Sequence, residues 1–290
     1  MKEVARLSAL RSLLAPLKRE GKRIGFVPTM GFLHDGHLEL VRRAKADCDV
    51  VVVSIFVNAE QFGPTEDLAQ YPRDLERDSR LLREVGADVL FAPPQEEMYP
   101  APTQTYVEVP ALAARLIGKL RPIFFRGVAT VVTKLFNMVQ PDRAYFGEKD
   151  YQQLLVIKQM VADLAMPVEI MSVPTVREPD GLAMSSRNAY LNPQERHAAT
   201  ILYRSLMEAR QWLASEALSP HELEQRLRAK IEAEPLAKID MIAICNAETM
   251  EPAQNSLPQR TFIFVYVQFG PAKLLDHTIV EAHERKGATA

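Results

Sequence analysis

The chain has 290 residues, with 35 Lys plus Arg against 37 Asp plus Glu and a formal net charge of −2. That length can bury a large core, in one big domain or, as the better starting point, two of ordinary size. Near-neutrality excludes a global field that would recruit nucleic acid or an anionic membrane, so any anion site has to be local.

Residues 1–18 scatter charges among apolar positions, which fits neither a secretory signal nor a membrane span, and a soluble cytoplasmic protein is expected. Cys48 and Cys245 are too few for a disulfide framework or a four-thiolate metal site and are read as ordinary buried thiols in a reducing compartment.

Short apolar runs at residues 23–27, 50–57, 88–92 and 143–147 predict strands covered on both faces, the second dominated by valine. Between and after them, residues 38–46, 74–85, 128–139 and 151–164 repeat apolar side chains at spacings of three and four, which predicts helices. Strand and helix in alternation give an α/β fold, a Rossmann-like, doubly wound parallel sheet. One more strand is expected at 168–173, after which Pro174, Pro179 and the Asp180-Gly181 turn break the rhythm and mark a boundary. Beyond it, helices open at Asn192-Pro193 and at Ser219-Pro220-His221-Glu222, the latter a capping box. Strands follow at 239–245, 261–268 and 273–276, so the C-terminal part reads as a smaller α+β unit.

Three strand-to-helix or post-boundary junctions carry chemistry. PTMGFLHDGH, residues 28–37, puts His34 and His37 beside Gly31 and Gly36 where an α/β sheet gathers ligands. Imidazole N–H groups there suit phosphate oxygens that gain charge in a transition state, although a metal pair or incidental loop residues would use the same letters. FGEKDYQQ, residues 146–153, repeats the glycine junction with a lysine, or is a solvated charge cluster. LAMSSRN, residues 182–188, offers two hydroxyls and an arginine, as a surface loop also could.

His34-Asp35-Gly36-His37 with Met184-Ser185-Ser186-Arg187 resembles the HxGH and KMSKS-type pair of the nucleotidyltransferase superfamily. PTMGFLHDGH, SIFVNAEQF (54–62), YPRDLERD (71–78), FGEKDYQQL (146–154) and VPTVREPDGLAMSSRNAYL (173–191) narrow the resemblance to the pantothenate synthetase family, the ATP-dependent pantoate:β-alanine ligases. The likeness runs from about residue 25 to 191 and more loosely to Leu274-Leu275-Asp276.

The resemblance implies condensation of pantoate with β-alanine through a pantoyl adenylate, releasing pyrophosphate and AMP, with ATP as substrate and Mg²⁺ as its metal. It implies a domain at 1–176 binding ATP and pantoate and a lid domain at 177–290. Carried over by motif, Met30, Gly31, His34 and His37 cradle ATP, with His37 the proton donor. Gly147, Glu148, Lys149 and Asp150 meet the nucleotide, and Val176, Met184, Ser185, Ser186 and Arg187 close over adenine and phosphates. Of these, His34, His37, Lys149 and Arg187 are the expected catalytic set. Asn58 and Gln61 hold pantoate and the incoming amine, Gln153 binds pantoate hydroxyls, and Asp78 helps place Mg²⁺. A homodimer is implied too, and the little-alternating strand at 261–267 calls for cover.

One departure stands out. Where the family usually reads Arg-Pro-Gly-His-Phe-Arg-Gly, this chain reads Arg121-Pro122-Ile123-Phe124-Phe125-Arg126-Gly127, which removes a phosphate-side donor. Ala59 for Pro and Glu39 for Ser are milder changes. Phe124 leaves room for a nucleotide-binding relative with weak catalysis, and the two histidines alone would also fit another nucleotidyltransferase.

Overall fold

The valine run of strand β3 (Val50–Ile55) is buried from Val50 to Ser54, as a strand with helices on both faces must be. In the computed structural model, which describes residues 1–64, 66 and 68–287, it lies in a six-stranded parallel sheet of order β1-β4-β3-β2-β5-β6. The other strands are β1 (Lys2–Val4), β2 (Ile24–Thr29), β4 (Val89–Phe91), β5 (Arg143–Gly147) and β6 (Glu169–Val173). Helices α1 (Leu7–Arg19), α2 (Asp35–Asp47), α3 (Leu75–Val85), α7 (Phe124–Val139) and α8 (Tyr151–Asp163) alternate with them, and three one-turn helices, α4 (Gln95–Met98), α5 (Pro110–Ala113) and α6 (Ile117–Leu120), fill the crossover to α7. The doubly wound expectation holds, with additions. Strand β1 is a three-residue edge strand, too short for a pattern, and α1 carries its apolar stripe among charges that obscured it.

Strand order decides where ligands can go. From β2 the sheet continues through β3 and β4 on one side and through β5 and β6 on the other, so β2 and β5, paired through Gly25–Arg143 and Phe26–Ala144, form the switch point. Their carboxyl ends open a crevice, and both histidines and Lys149 lie on the segments leaving those ends. Close packing supports this geometry. A Cβ on Gly25 would lie 3.0 Å from Cys48 Sγ, so a larger residue there would press against the C-terminal end of α2.

Residue contacts divide the chain into Met1–Thr175 and Val176–Ala290. The second unit has an antiparallel sheet of order β7-β8-β9 (Lys238–Asn246, Arg260–Phe269, Ala272–Glu281) with α9 (Pro193–Ala198), α10 (Ile201–Ser215) and α11 (Pro220–Glu232). The expected helix openings are present: α9 starts at Pro193, with a capping box of Asn192 and Glu195 in addition, and the expected capping box of Ser219 with Glu222 opens α11. Strand β9 runs five residues past its expected end. The apolar strand β8 buries Ile263, Val265 and Val267 in one cluster with Leu206, Leu213, Leu223 and Leu227, while Phe262 and Phe264 on its other face are 1% and 4% exposed. Its cover therefore exists in the single chain, and its hydrophobicity does not call for a second copy. Cys48 and Cys245 are both buried. Among the described residues no helix is long and apolar enough to cross a membrane.

Gly127 is where α7 meets the turn after β3. A Cβ there would collide with the Glu60 carbonyl and lie 2.6 Å from Gln61 Cα. Gly127→Ala should therefore destabilise the chain by about 1–3 kcal/mol through overpacking, even though alanine gains about 1 kcal/mol in helix propensity. Denaturant unfolding measures this, and stability equal to or above the parent would contradict the close approach.

Candidate active site

The loop leaving β2 turns by two successive left-handed residues, Gly31 (φ +83°) and Phe32 (φ +50°), the second a conformation that costs a side-chain-bearing residue energy. The reversal aims the backbone N–H groups of Phe32 and Leu33 at one point, and Asp78 fills it. Asp78 Oδ2 accepts from Phe32 at 2.7 Å and Oδ1 from Leu33 at 2.8 Å. Successive amides of this kind form an anion-binding concavity, and here the anion belongs to the protein. Asp78 sits in the first turn of α3, is 1% exposed, and also takes a 3.4 Å contact from Arg77, whose guanidinium lies 5.1 Å from the centre of the Phe32 ring. Burial pushes its carboxyl up, while the Leu33 and Phe32 N–H groups and Arg77 pull against that.

Asp78, expected to help place Mg²⁺, is buried with both carboxylate oxygens accepting from the loop, and in this structure it serves as the clamp of that loop.

The clamp delivers His34 to the N-cap of α2 and His37 to its first turn, with ring centroids 4.0 Å apart. His34 N–H donates to His37 Nδ1 at 3.3 Å. A ring nitrogen that accepts carries no proton, so His37 bears its hydrogen on Nε2 and presents it as a donor. Desolvation lowers the His37 pKa to about 4, with Asp150 raising it and Lys149 lowering it; desolvation followed by His37, Lys149 and Arg77 takes His34 to about 2. Both rings are neutral at pH 7. His34 Nδ1 is buried without a hydrogen-bond partner, a polar atom left over by the protein.

On the 3₁₀ turn Glu148–Asp150 after β5, Lys149 thus acts electrostatically on both rings and Asp150 on His37, and Lys149 Nζ lies 3.6 Å from Asp150 Oδ1. Gly147 has φ −75°, which any residue adopts, and a Cβ there would meet nothing within 4 Å. Neither backbone nor packing requires this glycine.

Asn58 and Gln61 flank the 3₁₀ turn Ala59–Gln61 after β3 and are 1% and 5% exposed. Asn58 Nδ2 donates to Gln61 Oε1 at 3.2 Å and to the Gly127 carbonyl at 3.1 Å, while Asn58 Oδ1 accepts from the Tyr99 hydroxyl at 2.9 Å. Gln61 Nε2 reaches Met30 Sδ at 3.2 Å, which joins the amide pair to the histidine loop. Sequence reasoning missed Tyr99, which stands in none of the motif segments. Gln153 is half-buried, whereas its neighbour Gln152 is buried and holds the crossover, donating to the Leu112 and Arg115 carbonyls at 2.9 and 2.8 Å and accepting from Ile117 N–H.

The departure at Phe124 has a physical occupant. Arg121 lays its guanidinium 4.0 Å from the centre of the Phe124 ring, ion-pairs with Glu66 and donates to the Gln61 carbonyl at 3.3 Å. Phe124 stacks against a cation where the family pattern has a histidine.

In the second unit, Met184 N–H donates to the Val176 carbonyl at 3.0 Å, which brings those two residues together. Ser185 caps the 3₁₀ helix Ser186–Tyr190 by accepting from Arg187 N–H. Arg177 braces this hairpin with a two-pronged ion pair to Asp276 at 2.6 and 2.9 Å, and Gly181 (φ +93°) is obligatory because a Cβ would collide with Tyr203.

The depressed histidine pKa values have a testable sign. With folded values below the ordinary 6.5, the unfolded chain takes up protons between pH 6.5 and 4 that the folded chain refuses, so stability falls as pH drops through that window. NMR titration of the ligand-free protein should find both rings neutral at pH 5.5, and a His34→Gln/His37→Gln variant should lose stability less steeply over the window. A His37 midpoint near 6.5 would contradict the burial argument.

Known proteins bear on these features. The family model described as pantoate-beta-alanine ligase matches residues 2–279. The pantothenate synthetase of Sinorhizobium medicae (strain WSM419) is 53% identical over 280 residues, 97% of this chain and 96% of that protein, and the one from Brucella anthropi is 51% identical over the same number, 97% of each. The crystal structure of pantothenate synthetase from Thermus thermophilus superposes with a TM-score of 0.89 at 49% identity, covering 96% of this chain and 99% of that one. The Francisella tularensis pantoate-beta-alanine ligase, complexed with beta-gamma ATP and beta-alanine, gives 0.80 at 36% identity, covering 96% and 97%. The chain belongs to the pantoate-beta-alanine ligase family.

Proposed function

We propose that this protein condenses pantoate with β-alanine at the expense of ATP, through a pantoyl adenylate. A pantoate carboxylate oxygen attacks the α-phosphorus, the bond to the bridging oxygen breaks, and pyrophosphate leaves with the electron pair. The β-alanine amine then attacks the acyl carbonyl, the C–N bond forms as the anhydride C–O bond breaks, AMP leaves, and the nitrogen gives up a proton. No step needs a protein nucleophile, so the chain's task is positioning and charge stabilisation.

The observation that carries the reading is the meeting of neutral histidine donors with Lys149 at the β2–β5 switch point, joined through Met30 to the buried amides Asn58 and Gln61. His37 Nε2–H serves as a donor to phosphate oxygens as they gain charge, His34 lies beside it, and Lys149 offsets the charge of the leaving pyrophosphate. Gly31, Gly147, Glu148 and Asp150 frame the nucleotide. Asn58 and Gln61 take pantoate and the amine, Gln153 takes pantoate hydroxyls, and Val176, Met184, Ser185, Ser186 and Arg187 take adenine and phosphates. Mg²⁺ enters on the triphosphate. The ligands of the Francisella structure match two of the three reactants, beta-alanine directly and ATP as its analogue. A count of only two cysteines, both buried, favours the cytoplasm, and the family resemblance favours a homodimer. The weakly catalytic alternative rests on Phe124 alone, whose ring stacks on Arg121, a guanidinium already paired with Glu66.

Pyrophosphate release should require ATP and pantoate together, with pantothenate appearing only after β-alanine is added. His37→Ala should slow the first half-reaction by about 10²-fold or more, and Lys149→Ala should chiefly raise the KM for ATP by losing a full charge. Pyrophosphate release independent of pantoate would overturn the function, and parent-like turnover of His37→Ala would remove His37 from the chemistry.

A further inference from the structure

The amide pair has a definite hydrogen-bond polarity, and its source lies outside the motifs. The Gly127 carbonyl can only accept, so the Asn58 atom 3.1 Å from it is Nδ2, and Oδ1 faces the Tyr99 hydroxyl 2.9 Å away. The second hydrogen of Nδ2 then goes to Gln61 Oε1 at 3.2 Å, which turns Gln61 Nε2 toward Met30 Sδ at 3.2 Å. Thioether sulfur is a weak acceptor and takes at most one of the two Nε2 hydrogens. The other is left to a ligand.

Tyr99 is built to hold its end of this chain. It follows α4, which is tied to α1 by Leu7 N–H donating to Glu97 Oε1 at 2.7 Å, and its ring lies 6.2 Å from that of Phe56 and 5.1 Å from Lys134 Nζ. Desolvation, with Glu60 and Tyr106, raises its pKa, so the hydroxyl keeps its proton and stays a donor throughout the physiological range.

We infer that Tyr99 is a positioning residue that, with the Gly127 carbonyl, orients Asn58 so that Gln61 turns one Nε2–H donor, and not its carbonyl oxygen, toward the acyl substrate. The inference rests on the proposed function in taking pantoate as the ligand of Gln61. It adds a specificity rule: the substrate atom met by Gln61 is a hydrogen-bond acceptor, a carboxylate or hydroxyl oxygen, and an analogue offering only a donor there is rejected.

Tyr99→Phe removes one hydroxyl and leaves Asn58 Oδ1 buried without its donor. It should raise the KM for pantoate about tenfold, the equivalent of one hydrogen bond, with the KM for ATP within about twofold of the parent. Gln61→Glu, isosteric but lacking donors, should weaken pantoate more than Gln61→Met does, because a carboxylate repels the acceptor it now faces. An activity-independent reading comes from the ligand-free protein, where the Gln61 side-chain amide protons should show a nuclear Overhauser effect to the Met30 methyl group, weakened in Tyr99→Phe. Equal rises in the KM for pantoate and ATP in Tyr99→Phe, parent-like pantoate KM in Gln61→Glu, or absence of the Overhauser effect in the parent would each overturn the orientation. If the parent failed to use pantoate at all while the Overhauser pattern held, the functional reading would fail and the orientation would stand.

Discussion

The structure turns on a carboxylate held by two backbone amides. Asp78, from the first turn of α3, accepts from Phe32 and Leu33 and so fixes a left-handed reversal that the chain would not otherwise keep at a phenylalanine. Everything proposed for the first unit follows from that loop. It starts α2 where His34 and His37 share its first turn, and it leaves Met30 against Gln61. The two amides occupy a lone pair on each Asp78 oxygen, so the carboxylate's first task is to hold the loop.

Neutral histidines suit the chemistry better than charged ones. A fixed imidazolium would bind the triphosphate in the ground state about as well as in the transition state, which gains affinity but not rate. A neutral Nε2–H with its other nitrogen already engaged by His34 N–H is a preorganised donor that strengthens as charge accumulates on the oxygen it meets. In the proposed reaction the full charge comes instead from Lys149, on a separate strand end, which would place the charge and the directional donor under independent control.

Much of this was legible in the sequence because it is local or periodic. The valine run of β3, the glycine junctions after β2 and β5, the helix opening at Asn192-Pro193 and the capping box at Ser219 are short-range signals, and each sits where expected. What stayed illegible is long-range and aperiodic. Asp78 meets Leu33 across 45 positions and Tyr99 meets Asn58 across 41, and no spacing rule links a side chain to a backbone or amide partner at such distances. Adjacent glutamines were equally undecidable: Gln152 proves to be the buried brace of residues 112–117, which only the helix's packing direction reveals. Phe124 looked like a lost donor because its stacking partner, Arg121, is recognisable only once α7 is known to begin at that residue.

The clamp is most directly tested by amide hydrogen exchange on Asp78→Asn, which keeps the shape but turns one acceptor into a donor facing an N–H. The account predicts that the Phe32 and Leu33 amides exchange at least about tenfold faster than in the parent, while the amides in the middle of α3 keep their protection. Unchanged exchange at both residues would show that the loop holds itself without Asp78 and would contradict the account.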